Sequence, residues 1–109
     1  MNMKDKEALK ADIIERLKKI YDPEMPIDIW NMGLIYEINI DEKNHVDILM
    51  TVTAPNCPVA ETLPPFVKSE VEAYVPEING VDVRITFDPP WDVDRMSEEA
   101  KESLGFDFL

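Results

Sequence analysis

The sequence of 109 residues is poor in the residues that small proteins use as covalent or metal cross-links. It contains one cysteine, Cys57, and one histidine, His45. One cysteine cannot form a disulfide within the chain, and these two residues cannot complete a four-ligand zinc site. The chain must therefore fold by burying apolar side chains, which a domain of this length can do. We expect a single domain over residues 1–109, with the free thiol typical of a cytoplasmic protein.

Glycine, basic residues and long apolar runs are also scarce. Three glycines are too few for the glycine-rich loops that bind nucleotide phosphates. No apolar run approaches the roughly 20 residues that cross a bilayer, and residues 1–10 lack the apolar stretch of a signal peptide. The 11 basic and 23 acidic residues give a formal net charge of -12, which a phosphate backbone would repel. We therefore expect no membrane and no nucleic-acid partner.

Apolar periodicity predicts an α+β fold. Three segments have the spacing or caps of helices: residues 5–20, 59–74 and 97–105. Three segments alternate apolar and polar residues in the manner of strands: residues 34–40, 45–53 and 81–87. The order α-β-β-α-β-α predicts a mixed three-stranded sheet with helices packed on one face.

The details of this pattern lead to two further expectations. Pro64 and Pro65 do not suit a helix interior, so we expect a kink or a restarted helix near Thr62. In the strands, alternate residues should share a face. In the first strand, the side chains expected to share one face are Leu34, Tyr36, Ile38 and Ile40. In the second helix, the side chains expected to face inward are Val59, Leu63, Phe66, Val67, Val71 and Tyr74.

Cys57 is the most reactive candidate in the sequence. It lies between Pro55 and Pro58, directly before the second predicted helix. Pro58 suits the first helical position, and a thiol there would lie near the positive end of the helix dipole. This setting favours the thiolate, which is the form that binds metal. The alternative is a buried, inert cysteine, because free cysteine is among the most buried residue types.

The other candidates have simpler structural interpretations beside the functional ones. The acidic residues Asp22, Glu24 and Asp28 could bind a hard cation or transfer protons, but aspartates in such loops commonly cap turns, as Asp28 would through Trp30 to Gly33. Trp91 could cover the core or contact a partner. His45 is expected to be a surface histidine in a hairpin.

Three segments together resemble the SufT/PaaD-like metal–sulfur cluster biosynthesis proteins. They are Asp-Pro-Glu-Met-Pro-Ile-Asp-Ile at 22–29 with Met-Gly-Leu-Ile-Tyr at 32–36, Thr-Val-Thr-Ala-Pro-Asn-Cys-Pro at 51–58, and Asp-Pro-Pro-Trp at 88–91 running into Arg-Met-Ser at 95–97. The resemblance covers about residues 7–105. It implies an α+β fold shared with other iron–sulfur assembly domains and a role in maturing iron–sulfur proteins.

The resemblance also implies site residues. The distinctive cysteine of the family corresponds to Cys57, in a segment that includes Thr53. Many relatives have glycine where this chain has Asn56, which tolerates the left-handed conformation better than most residues. The remaining matches are the acidic loop and the Pro-Pro-Trp segment: Asp22, Glu24, Asp28, Pro90 and Trp91.

A cluster normally needs about four thiolate ligands, so one chain cannot hold it alone. We expect Cys57 to share a transient iron–sulfur cluster or metal with a second chain in a homodimer, a small thiol or a client protein. Partners would be the iron–sulfur assembly machinery or client apoproteins, and no enzymatic activity is expected. One alternative is a non-metal adaptor that recruits a partner through its acidic surface and Trp91. The other is a thiol redox sensor, although a resolving cysteine is missing.

Overall fold

The computed structural model describes residues 5–22, 26–53 and 59–104. The elements are α1 (Lys6–Leu17), β1 (Ile35–Ile40), β2 (Val46–Met50), α2 (Val59–Tyr74), β3 (Val81–Ile85), a 3₁₀ turn (Val93–Arg95) and α3 (Glu98–Leu104). The predicted α+β fold and its order α-β-β-α-β-α are confirmed, and the 3₁₀ turn is an addition. Within the described ranges, no helix combines the length and the apolar content that crossing a membrane requires.

The three strands form one mixed sheet in the order β1-β2-β3. β1 pairs antiparallel with β2, and β2 pairs parallel with β3. Two rows of paired residues therefore mark the two ends of the sheet. Ile35, Met50 and Ile85 form the row at the end we call the loop end, and Ile40, Val46 and Val81 form the row at the opposite end, which we call the turn end.

The helices bury one face of this sheet, as the alternation predicts. Val46, Ile48 and Met50 of β2 are fully buried, whereas Asp47 and Leu49 between them are partly exposed. The apolar stripes of α1 and α2 belong to the same hydrophobic cluster as these strand residues, and their fully or nearly fully buried members are Leu9, Ile13, Leu17, Leu63, Val67 and Val71. The side chains on the outer face of β2 and β3 are polar except for Leu49, and they are partly or fully exposed.

The inner face of α2 is narrower than its apolar spacing predicts. Phe66 and Tyr74 are 51% and 59% exposed, so their expected burial is wrong. The buried residues of α2 follow one another at a spacing of four, as Leu63 and Val67 do. Phe66 lies three positions after Leu63, which places its side chain beside the buried stripe, on the side that faces solvent. The Tyr74 ring instead lies against the Arg16 guanidinium, 3.5 Å from the ring centroid.

The two prolines do not interrupt α2. Pro64 and Pro65 lie inside a single helix of 16 residues, so the expected restart near Thr62 is wrong. Both lie beyond the first four residues, whose N–H groups have no acceptor within a helix, so each proline removes one backbone hydrogen bond from α2. The continuous burial of the apolar stripe on this helix offsets that loss.

A bulge in β1 changes the predicted face of Tyr36. Ile35 pairs with Met50 but Glu37 already pairs with Leu49, so Tyr36 is the extra residue. A bulge of this kind places two successive side chains on one side of the sheet. Tyr36 consequently lies with Glu37 and Leu49 along the outer face, and not with the core residues.

Candidate functional site

The first loop is built around the Asp28 carboxylate. Its Oδ2 accepts a hydrogen bond from the Asn31 backbone N–H at 2.9 Å, and its Oδ1 accepts one from the Asn31 side-chain amide at 2.8 Å. Asp28 is buried, and the turn closes at Gly33, where φ is +78°. The predicted cap and the predicted end of this turn are therefore both observed.

Asp22 belongs to the same folded loop. It is only 4% exposed, and its backbone N–H donates to the Ile27 carbonyl at 3.1 Å. Tyr21 and Asp28 pair across the loop as an isolated antiparallel bridge. Two of the three predicted acidic residues thus lie in one compact loop, while Glu24 lies outside the described residues.

The second segment continues from the C-terminal end of β2. Thr51 is fully buried, and its N–H donates to the Leu34 carbonyl at 2.8 Å, which joins this segment to the end of the first loop. Val52 is buried and Thr53 is partly exposed. Asn56 and Cys57 lie outside the described residues, in the sequence between Thr53 and the start of α2.

The third segment folds back onto the first loop. The Trp91 indole N–H donates to the Met32 carbonyl at 2.7 Å, and the Ser97 N–H donates to the Asn31 carbonyl at 2.9 Å. Gly33 packs so closely against Arg95 that an added Cβ would lie 2.6 Å from the Arg95 carbonyl carbon. Pro90, in contrast, is exposed.

The third segment also covers part of the outer face of the sheet. The Tyr36 hydroxyl donates to the Pro89 carbonyl at 2.8 Å, and the Arg95 guanidinium carbon lies 4.5 Å from the Tyr36 ring centroid. A groove of about 470 Å³ runs beside these contacts. Its lining residues are Gly33, Ile35, Tyr36, Glu37, Leu49, Asp88, Pro89 and Arg95.

Three segments that are distant in sequence therefore meet at the loop end of the sheet. We call residues 26–34, 51–53 and 86–97 the loop cluster. Of the predicted site residues, Asp28 and Trp91 form hydrogen bonds that hold the loop cluster together. Asn31 and Arg95 complete these contacts and were not predicted as site residues. In the sequence, Gly33 was the residue that could have indicated the contact with Arg95, because a glycine with positive φ often marks a close approach of two backbones.

His45 lies at the turn end, where the pKa values of two groups are shifted. The hydrogen bond between His45 Nε2 and Asp82 Oδ2, at 2.8 Å, raises the pKa of the imidazole above its ordinary value. The Asp41 carboxylate accepts a hydrogen bond from the His45 backbone N–H, which lowers the pKa of that carboxyl. Since the His45 side chain is 35% exposed, its predicted surface position is confirmed.

The sequence of the chain matches a model of a known protein family. The family model described as an iron–sulfur cluster assembly protein matches residues 10–86. The chain belongs to this iron–sulfur cluster assembly family. The resemblance seen in the sequence is thereby confirmed, and the match includes the first two of the three segments that carried it.

Relatives of this member of the iron–sulfur cluster assembly family extend over nearly the same length. A protein of Porphyromonas gingivalis named Fe-S protein maturation auxiliary factor is 43% identical over 97 residues, which cover 89% of this chain and 91% of the relative. The Fe-S protein maturation auxiliary factor SufT of Staphylococcus aureus is 42% identical over 86 residues, which cover 79% and 97%.

A solved structure shows the same fold. The crystal structure of a domain of unknown function, DUF59, from Bacillus anthracis matches with a TM-score of 0.86 and 39% identity. The match covers 91% of this chain and 93% of that one. The α+β architecture of this iron–sulfur cluster assembly family member is thus shared with an experimentally determined relative.

Proposed function

We propose that this protein is a non-enzymatic auxiliary factor in the maturation of iron–sulfur proteins, with Cys57 as a transient ligand of the cluster or metal in transit. Family membership and the names of two relatives, both called Fe-S protein maturation auxiliary factors, support the general role. The single cysteine supports the role of Cys57 as a ligand, because a thiolate is the ligand type that iron–sulfur clusters use.

The observation that supports this proposal is that residues 51–53, which directly precede the Cys57 segment, belong to the loop cluster. β2 ends at the loop end of the sheet, and Thr51 is hydrogen-bonded there to Leu34. α2 begins at Val59 and leads back to β3, which runs parallel to β2, so its first residue lies towards the same end. The chain before residues 54–58 is therefore bonded to the first segment, and the chain after them begins a helix at the same end of the sheet.

The remaining predicted residues have supporting roles in this proposal. Asp28 shapes the first loop and Trp91 holds the third segment against it, since both side chains are engaged in hydrogen bonds within the fold. Pro90 is exposed and is available to a partner. Asp22, Glu24, Thr53 and Asn56 complete the set of loop residues that we propose to position Cys57.

In this proposal the cluster is cargo and not a resident cofactor. One thiolate per chain leaves about three ligand positions to be supplied by others. A second copy of this chain, a small thiol or cysteines of a client apoprotein would supply them, and such shared ligation makes the cargo easy to release. The homodimer and the cytoplasmic location stay predictions.

Anaerobic reconstitution with iron and sulfide tests the proposal. We expect the wild type to develop the visible absorption of an iron–sulfur cluster and to transfer it to an apoprotein client, and the Cys57→Ser variant to do neither. Far-ultraviolet circular dichroism should show that the variant is folded, because serine has nearly the same volume as cysteine. Cluster bands and transfer at wild-type rates in Cys57→Ser would contradict the role of the thiol.

The adaptor alternative makes the opposite prediction for Cys57→Ser, which would keep its maturation activity. Trp91→Ala alone does not test whether Trp91 contacts a partner, because this substitution also removes the hydrogen bond from the indole to the Met32 carbonyl. Trp91→Phe keeps an aromatic surface and removes only the donor. An adaptor that uses this aromatic surface should tolerate Trp91→Phe and lose partner capture in Trp91→Ala.

A further inference from the structure

A second group of ligand-type side chains lies at the turn end of the sheet, away from the loop cluster. It consists of His45, Asp47 and Asp82, which we call the His45 cluster. One ligand atom from each of the three residues can be chosen so that all three atoms lie within 4.8 Å of one another. We propose that the His45 cluster is a surface site for a divalent transition-metal ion such as Zn²⁺. This proposal does not rest on the function proposed for Cys57.

Strand pairing creates the cluster. Asp47 of β2 and Asp82 of β3 are register partners on adjacent parallel strands, and both project from the outer face because their neighbours Val46 and Val81 are buried. His45 precedes Asp47 by two residues, which is the spacing that places side chains on one face of a strand.

The two aspartates carry an electrostatic cost that a cation would offset. Neighbouring strands lie about 4.8 Å apart, so paired carboxylates repel each other. The Asp82 carboxylate lies within hydrogen-bond distance of the His45 imidazole, at 2.8 Å. A divalent ion between the three side chains would bind both carboxylates and the imidazole at once.

The backbone holds His45 in place for this role. The His45 N–H donates to Asp41 Oδ1 at 2.9 Å, and the Val46 N–H donates to the Gly80 carbonyl at 2.9 Å. The imidazole lies over Gly80, where a Cβ would come within 3.1 Å of Nδ1. Glycine at this position therefore leaves room for the ring, whose Nε2 is directed at Asp82.

The donor set selects the class of ion. One imidazole nitrogen and two carboxylate oxygens suit Zn²⁺ and neighbouring first-row ions, which bind such atoms at about 2.0 to 2.2 Å. Mg²⁺ and Ca²⁺ prefer an all-oxygen shell. Small side-chain rotations would bring the ligand atoms to a common centre, and the remaining coordination positions would be open to water or to a side chain of a partner.

Zinc titration by calorimetry tests the proposal, with Cys57→Ser as the parent protein so that the thiol cannot contribute. We expect one Zn²⁺ per chain in the parent, and an affinity lowered by roughly tenfold or more in both His45→Gln and Asp82→Asn. Asp94→Asn is the matched control, since it removes one exposed carboxylate outside the cluster and should bind as the parent does. Mg²⁺ should give no comparable binding.

A second measurement identifies the ligand directly. The imidazole ring signals of the single histidine should shift when one equivalent of Zn²⁺ is added to the parent, and should not shift with Mg²⁺. Because the three side chains are partly or fully exposed, the variants should keep the parent circular dichroism spectrum. Equal zinc affinity in parent and His45→Gln, unmoved ring signals, or an equal loss of affinity in Asp94→Asn would overturn the proposal.

Discussion

The two ends of the sheet are built in different ways. At the loop end, the contacts join residues far apart in sequence, such as Trp91 with Met32 and Gly33 with Arg95. At the turn end, the Asp41 carboxylate closes a tight turn through its own neighbours, accepting from the backbone N–H of Lys43 and of His45. The loop end depends on tertiary packing, whereas much of the turn end forms from local hydrogen bonds and strand register.

This difference suggests a division of roles. A site assembled from three loops can change its geometry when any one of them moves, which suits the transient ligation that we propose for Cys57. A site on paired strands is held by the sheet itself and suits a fixed binding geometry. We therefore expect matched substitutions at the two ends to differ in their effect on stability.

The largest effect is expected at the two glycines with positive φ. Gly33→Ala should lower the free energy of unfolding by at least about 3 kcal/mol, because the new Cβ meets the backbone of Arg95 and φ is +78°. Gly80→Ala at the turn end should cost only about 1 to 2 kcal/mol, since φ is +117° but the nearest atom, at 3.1 Å, belongs to the His45 side chain and not to backbone. Urea unfolding of both variants would measure the difference, and equal losses would contradict the comparison.

An intermediate effect is expected at the two aspartates that close turns. Asp28→Ala should lower the free energy of unfolding by about 1 to 3 kcal/mol, because it leaves the Asn31 backbone N–H without its partner in a partly buried loop. Asp41→Ala removes two similar hydrogen bonds at an exposed turn, where water can replace them, so its loss should be clearly smaller. Thermal unfolding of the two variants side by side provides the test, and a larger loss for Asp41→Ala would reverse our interpretation.

The smallest effect concerns protonation at the turn end. Asp82 raises the pKa of His45, so Asp82→Asn should lower that pKa towards its ordinary value of about 6.5, as read from ring proton shifts in a buffer with chelator. A raised pKa in the folded state means that the His45–Asp82 pair stabilises the fold fully below the unfolded pKa. That contribution disappears as the pH rises through the folded pKa.

The stability difference between wild type and Asp82→Asn should therefore be larger at pH 5.5 than at pH 8. Asp94→Asn provides the control for the general effect of removing one negative charge from a chain of net charge -12. A stability difference that is independent of pH, or larger at pH 8, would show that the ion pair does not link protonation to folding.

The sequence by itself determined the elements and most of the core. Val46, Ile48, Met50 and Val52 are buried as their alternation predicts, and Asp28 caps the turn that ends at Gly33. These features follow from periodicity and local hydrogen bonding, which involve residues within a few positions of one another. The family resemblance was also visible in the sequence, because its motifs are contiguous.

Tertiary structure alone decided the rest. The bulge that turns Tyr36 towards Pro89, the exposure of Phe66 and Tyr74, and the contact of Trp91 with Met32 depend on how elements pack against each other. The His45 cluster likewise needs the parallel pairing that sets Asp82 beside Asp47, 35 positions earlier in the chain. No local pattern encodes such a contact, because its free energy comes from burial and register between segments that meet only in the folded state.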